Sequence, residues 1–207
     1  MVREQIESRG ITNVRVIAAM TKVPRHEFVP ENLADKAYDD HPLPIGHQQT
    51  ISQPYIVALM TELLQIQPGA TVLEVGTGSG YQAAILAEIG AQVYSMEILE
   101  PLARKSTELL QRLGYTRVQV KRGDGYLGWP EHAPYDAIIV TAAANHIPPP
   151  LVEQLKLGGR LVIPVDDGQP HQSLLLVEKG ADDSVTTRDV ASVLFVPLTR
   201  EAGKRGI

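Results

Sequence analysis

One ten-residue stretch constrains this chain more than any other: Val72-Leu73-Glu74-Val75-Gly76-Thr77-Gly78-Ser79-Gly80-Tyr81. A β-rich run over 71–75 passes into a glycine-rich turn, and the turn opens a helix over 81–89 that Gly90 ends. Glycines let a backbone approach a ligand closely, and a helix N-terminus favours negative charge. Units of this kind build parallel sheets whose ligands lie at the carboxyl ends of the strands.

The alternation continues downstream. Residues 53–66 read as a helix, 92–96 as a strand, and 101–113 as a helix with Pro101 in its first turn and Gly114 just past its end. Strands follow at 117–121, 135–140 and 160–165, with a short helix at 151–157 closed by Gly158-Gly159. Residues 173–178 and 190–198 form a last pair of strands with no helix between them. The expectation is a doubly wound, mostly parallel seven-stranded α/β sheet with an antiparallel edge. Ahead of it, Asn13 caps a helix bearing Val16, Ile17 and Met20, and Pro24 stops it, which gives a helical N-terminal cap. Residues 31–53, punctuated by Pro42, Pro44, Gly46 and two histidines, read as a long irregular segment. Such segments are often functional, although a surface wrap is the plainer reading. One domain is expected over 1–207, with 1–52 as cap and substrate loop and 53–207 as core.

Composition narrows the chemistry. The chain has 207 residues, no cysteine and a net charge of −5. That removes disulfides, thiolate metal sites and a cysteine nucleophile. The negative balance argues against gripping nucleic acid through its phosphates. The opening MVREQIESRG has no apolar h-region, and the most apolar run, 137–144, is far short of the ~20 residues of a membrane helix. A cytoplasmic protein without membrane or nucleic-acid partners is expected. No His, Asp or Glu cluster has metal-ligand spacing.

The glycines at 76, 78 and 80 miss the dinucleotide pattern G-x-G-x-x-G, because position 81 is Tyr, and no Gly-Lys-Ser/Thr follows as in a P-loop. What remains, acidic-x-G-x-G-x-G, resembles the signature of S-adenosylmethionine-dependent methyltransferases. An acid beside the loop suits a cofactor with an ammonium and a sulfonium. Glu74, Gly76, Thr77, Gly78, Ser79 and Gly80 are thus candidate cofactor residues. Glu97, with Ile98 beside it, ends the next strand, where an acid accepts from ribose hydroxyls. Asp124 and Gly125 follow the third strand, at a position suited to the adenine edge, and Thr141 follows the fourth. Each acid alone is more often a plain surface carboxylate; their repetition at successive strand ends is what points to a site.

The acceptor is narrowed by absences. Thr141-Ala142-Ala143-Ala144 stands where base-amino methyltransferases carry D/N-P-P-Y/F and where metal-dependent enzymes carry acidic ligands. A carboxylate acceptor needs no base, since it is ionised at neutral pH. It needs hydroxyl and N–H donors, and Gln49-Thr50-Ile51-Ser52-Gln53-Pro54 offers them. Ser52 also reads as a plain helix N-cap; the two roles are compatible.

Here the resemblance becomes specific. Val23-Pro24-Arg25-His26-Glu27-Phe28-Val29-Pro30, Leu43-Pro44-Ile45-Gly46, the Gln49–Pro54 block, 72–82, Gly123-Asp124-Gly125, 135–143, 155–165 and Phe195-Val196-Pro197-Leu198 run in order over nearly the whole chain. They resemble the protein-L-isoaspartate O-methyltransferase family. The resemblance implies methyl transfer from S-adenosylmethionine, giving S-adenosylhomocysteine, to the α-carboxylate of L-isoaspartyl residues in damaged proteins, with no metal. It implies that Ser52 is the active-site serine, that Thr50 and Ile51 flank the substrate, and that the Phe195–Leu198 segment, with Val196, Pro197 and Leu198, helps close the site. A monomer is expected. Two departures stand out: Gly46-His47-Gln48-Gln49 where related bacterial sequences often have Gly-x-Gly-Gln, and Asp166 where a glycine often follows Val165. His47 lies beside the proposed site as a possible donor or a plain loop histidine, and residues 200–205 read as a solvated basic end. Two alternatives remain: a methyltransferase for a small-molecule acid or hydroxyl, and a noncatalytic cofactor-binding protein suggested by the alanines at 142–144.

Overall fold

The computed structural model describes residues 1–200. Beyond Arg200, the expected basic end lies outside the described residues. In chain order the elements are α1 (Val14–Lys22), β1 (Leu43–Gly46), β2 (Gln49–Ile51), α2 (Pro54–Leu63), β3 (Thr71–Val75), α3 (Tyr81–Ile89), β4 (Gln92–Glu97), α4 (Glu100–Arg112), β5 (Val118–Arg122), β6 (Tyr135–Val140), α5 (Pro149–Glu153), β7 (Leu155–Val165), β8 (Gln172–Lys179) and β9 (Val185–Val193).

Seven strands form one sheet in the order β5-β4-β3-β6-β7-β8-β9. Strands β5 to β7 run parallel, and β8 and β9 return antiparallel. The order reverses beside β3, with β4 on one side and β6 on the other, so the crevice for a ligand opens at their carboxyl ends. Both faces of β3 and β6 are covered. Val72 and Ile139 pack into one buried cluster; Leu73, Val75, Ile138 and Val140 pack into the other. This is why those strands read as nearly continuous apolar runs. Helix α3 is buried almost all round, while α4 turns only Leu102, Ala103, Ser106 and Leu110 inward. Ile6, Val16, Met20, Phe28 and Ile51 share a core cluster with Val57, Ile85 and Val93, so the N-terminal segment packs into the core of the sheet. None of the described helices is long and apolar enough to cross a membrane.

Asn13 caps α1 as expected, its side chain accepting from Arg15 N at 3.0 Å. Four expectations need correction. Residues 31–53 are not wholly irregular: Glu31–Lys36 makes helical turns, and β1 and β2 form an antiparallel hairpin. Its turn has no Asn-Gly signal; His47 and Gln48 take positive φ, 53° and 59°. Helix α2 begins at Pro54, with Gln53 and not Ser52 at the N-cap position, and it ends at Leu63. The helix expected over 151–157 is only Pro149–Glu153. Its successor is already strand: Leu155 pairs with Tyr135, and after a bulge Arg160 pairs with Ala137. The last strand runs Val185–Val193 and not 190–198. It is an exposed edge strand, so Thr186, Thr187, Arg188 and Asp189 face water and carry no apolar alternation. Residues 194–198 leave the sheet and cross back to the end of β6, where Pro197 bridges Ala143.

Candidate active site

Three adjoining clefts lie at the carboxyl ends of β3, β4 and β6, and Thr50 and Thr141 line all three. The first is walled by Gly76, Gly78, Glu97, Ile98, Gly125 and Thr141, with Thr50 and the segment Val196-Pro197-Leu198 across from them. The second lies between Thr50-Ile51-Ser52 and Thr77-Gly78-Ser79. The third is an open, mostly apolar groove that leads outward from Ser52 along Ile56, Val193, Leu194 and Phe195.

The glycine loop is built for close approach. Gly76 has φ 98°, and a Cβ there would collide with the Thr141 hydroxyl, which donates to Gly76 O at 2.6 Å. The loop is pinned to β4, since Gly76 N donates to Met96 O at 2.8 Å. Glu97 ties the site together. One carboxylate oxygen accepts from Gly78 N at 2.8 Å, the other from Leu99 N at 2.9 Å, and the side chain still faces the first cleft. Lone pairs remain free for further donors.

Glu74 departs from the expectation. It lies beneath the loop, wholly buried, and lines none of the three clefts. One of its oxygens accepts from Ser95 Oγ, whose hydroxyl also meets Thr77 Oγ1 at 2.5 Å; the other has no partner among the described residues. Burial pushes its pKa up to about 8, and the charge of Glu97 adds to this. At neutral pH Glu74 therefore carries its proton, and the acidic side chain that lines the first cleft is Glu97. Gly80 and Asp124 also stand back from the three clefts. Gly80 caps α3, and Asp124 accepts from Tyr126 N at 3.1 Å and from Arg200 Nε at 3.2 Å. Arg200 itself is engaged, and its guanidinium lies 3.9 Å from the centre of the Tyr126 ring.

The side chain of Ser52 makes no hydrogen bond among the described residues, since Gln53 occupies the N-cap. Its hydroxyl faces the second and third clefts. The closing segment is held from beneath: the buried Gln172 accepts from Phe195 N at 2.6 Å and donates to Phe195 O at 3.1 Å. Ala143 N donates to Val196 O at 2.8 Å, and Leu198 N to Ala143 O at 2.7 Å. Among the described residues no group of three or more metal-ligating side chains is present.

The sequence profile of the protein-L-isoaspartate(D-aspartate) O-methyltransferase family matches residues 1–203. The chain belongs to this family. A protein-L-isoaspartate O-methyltransferase 2 of Polaromonas sp. is 63% identical over 96% of this chain and 95% of its own. A protein-L-isoaspartate O-methyltransferase of Gloeobacter violaceus is 54% identical over 97% and 98%. Among solved structures, a protein-L-isoaspartate O-methyltransferase superposes with TM-score 0.85 at 29% identity, over 95% of this chain and 64% of that one. A Plasmodium falciparum protein assigned to the same family, in complex with S-adenosyl-L-homocysteine, superposes with TM-score 0.82 at 27% identity over 97% of both chains.

Within this isoaspartyl methyltransferase fold, sequence reasoning missed several residues. Met96 and Leu99 join the wall of the first cleft, and His171 joins the groove. Gln172 bonds the Phe195 backbone and Arg25 the Ser52 carbonyl from behind the clefts. Their place in the fold brings them there; Arg25 stood in the Val23–Pro30 motif without a role.

Proposed function

We propose that Thr50, Ser52 and Thr141 form the junction at which methyl acceptor meets methyl donor in this enzyme. The reaction follows from the family: a methyl group passes from S-adenosylmethionine to the free α-carboxylate of an L-isoaspartyl residue in a damaged protein or peptide. S-adenosylhomocysteine and a methyl ester result, and the ester closes to a succinimide whose hydrolysis partly restores aspartate. The observation that carries the site assignment is the sharing of Thr50 and Thr141 by all three clefts, with the unengaged Ser52 hydroxyl alongside.

The cofactor supplies an electrophilic methyl group on a sulfonium. Glu97 is the acceptor for its ribose hydroxyls, and Ile98, Met96 and Leu99 give an apolar wall for its base; Asp124 and Gly125 flank that wall. Gly76 and Gly78 allow the amino-acid end to lie against backbone. The residues present fit such a group, because a side chain at Gly76 would collide with Thr141 and the one acidic side chain among the described residues lining that cleft is Glu97. On the acceptor side the chain needs no general base, since the carboxylate is already ionised. Ser52 donates to one carboxylate oxygen and Thr50 lies beside it, so that the other oxygen is held in line with the methyl group. Ile51 and the Val196-Pro197-Leu198 segment exclude water and leave the nucleophile poorly solvated. The apolar groove favours a polypeptide acceptor over a small free acid. The reading has one chain acting on isoaspartyl-containing proteins, with no nucleic acid or membrane involved.

Ser52→Ala tests the arrangement. Turnover on an isoaspartyl peptide should fall on the order of 10²-fold, the cost of misaligning the attacking oxygen, with S-adenosylhomocysteine affinity unchanged. Lost cofactor affinity with turnover intact would place Ser52 on the wrong ligand.

A further inference from the structure

Arg25 is wholly buried, yet it has no counter-ion among the described residues. Its Nε donates to Ala37 O at 2.7 Å and its Nη2 to Ser52 O at 2.7 Å. Nη1 has no partner among the described residues. The guanidinium carbon sits 4.8 Å from the centre of the Tyr81 ring. No described carboxylate lies within ion-pair distance; the nearby Glu27 is taken by Arg112 at 2.9 Å. Burial lowers the Arg25 pKa, but a guanidinium keeps its proton throughout the neutral range. Burial raises the Tyr81 pKa, so that phenol stays neutral and offers no balancing charge.

A buried, uncompensated cation is unfavourable, and charged residues are seldom buried unless paired. Its position gives the reason. The acceptor is an anion, and the protein carries a net charge of −5. None of the residues lining the three clefts is Lys or Arg, and Glu97 stands in the wall. Arg25 is the cation bonded to the peptide that bears Ser52. From inside the core its field is little screened by salt. We propose that Arg25 is a positioning residue for the acceptor: it fixes the Ser52 peptide and supplies the positive potential that favours a carboxylate there. Its unpaired nitrogen leaves that charge unspent on any internal carboxylate.

This inference rests on the acceptor site proposed above, and the test separates the two. Two peptides are compared as ligands, one with L-isoaspartate and one with its α-carboxamide analogue. Arg25→Met and Arg25→Lys are measured against the unmodified enzyme, with S-adenosylhomocysteine affinity and circular dichroism as controls for folding. The unmodified enzyme should prefer the carboxylate, and methylate it; failure to methylate it would overturn the acceptor site itself. Arg25→Met should cut that preference about tenfold, a loss of about 1.4 kcal/mol, with cofactor affinity within about twofold. Arg25→Lys should keep most of the preference while losing turnover, since an ammonium lacks the fork that spans two carbonyls. Equal weakening of both peptides by Arg25→Met, or loss of preference in a folded Arg25→Lys, overturns the inference. If Arg25→Met does not fold, the unmodified enzyme still decides: a preference that persists at high salt supports a buried charge, and one that collapses assigns it to surface charges.

Discussion

Glu74→Gln is the substitution that most directly separates a neutral from an ionised acid beneath the glycine loop. The carboxyl group is wholly buried, with one oxygen on Ser95 and the other unpartnered. Burial moves its pKa from 4.5 to about 8 in the folded chain. In the unfolded chain it loses its proton above about 4.5. Between those values the folded state holds a proton that the unfolded state lacks, so stability falls as pH rises. The contribution is fully present below the unfolded value and is gone once pH passes the folded value. One proton corresponds to about 1.4 kcal/mol per pH unit, and the whole window to a few kcal/mol at most. Glutamine keeps the shape and has no proton to release. Urea unfolding of both proteins without cofactor, at several pH values from acid to about pH 8, checks this. The unmodified protein should lose on the order of 1 kcal/mol per pH unit relative to Glu74→Gln across the window. Parallel profiles would mean that Glu74 is ionised in the fold, and the reasoning from burial would fail.

Other substitutions address the site and its scaffold. Glu97→Ala leaves Gly78 N and Leu99 N without their acceptor and removes the proposed ribose contact, so S-adenosylhomocysteine affinity, by calorimetry, should fall about 10- to 100-fold. Gly76→Ala forces a side chain into φ 98° and against the Thr141 hydroxyl; it should cost about 1–3 kcal/mol in unfolding experiments and weaken the cofactor. Gln48→Gly relieves a left-handed residue at the hairpin turn. Relief of about 1 kcal/mol, partly offset by the freer unfolded chain, should raise the melting temperature by about 1–2 °C.

The fold was readable where local chemistry and tertiary pairing agree. Helix α3 is bracketed by Gly80 and Gly90, both left-handed, and β3 and β6 are apolar because both faces are covered. It was not readable where the sheet edge or a distant partner decides. Strand β9 pairs through its backbone while Thr186–Asp189 face water. The β1–β2 hairpin turns on His47 and Gln48, which carry no turn signature. The site divides the same way. Spacing was enough to bring Glu97, Gly76 and Gly125 to one cleft. That Glu74 turns under the loop depends on Ser95, 21 residues on, and that Gln53 takes the cap and frees Ser52 is a matter of one residue of helix register. Arg25 reaches Ser52 across 27 residues of sequence, and Arg200 reaches Asp124 across 76.

The most direct test of the central claim is methyl transfer from radiolabelled S-adenosylmethionine to a synthetic peptide containing one L-isoaspartyl residue, beside the same peptide with aspartate. Label should enter the isoaspartyl peptide as a base-labile ester and be absent from the aspartyl peptide. Equal labelling of the two, or labelling of small free acids with the isoaspartyl peptide inert, would contradict the account.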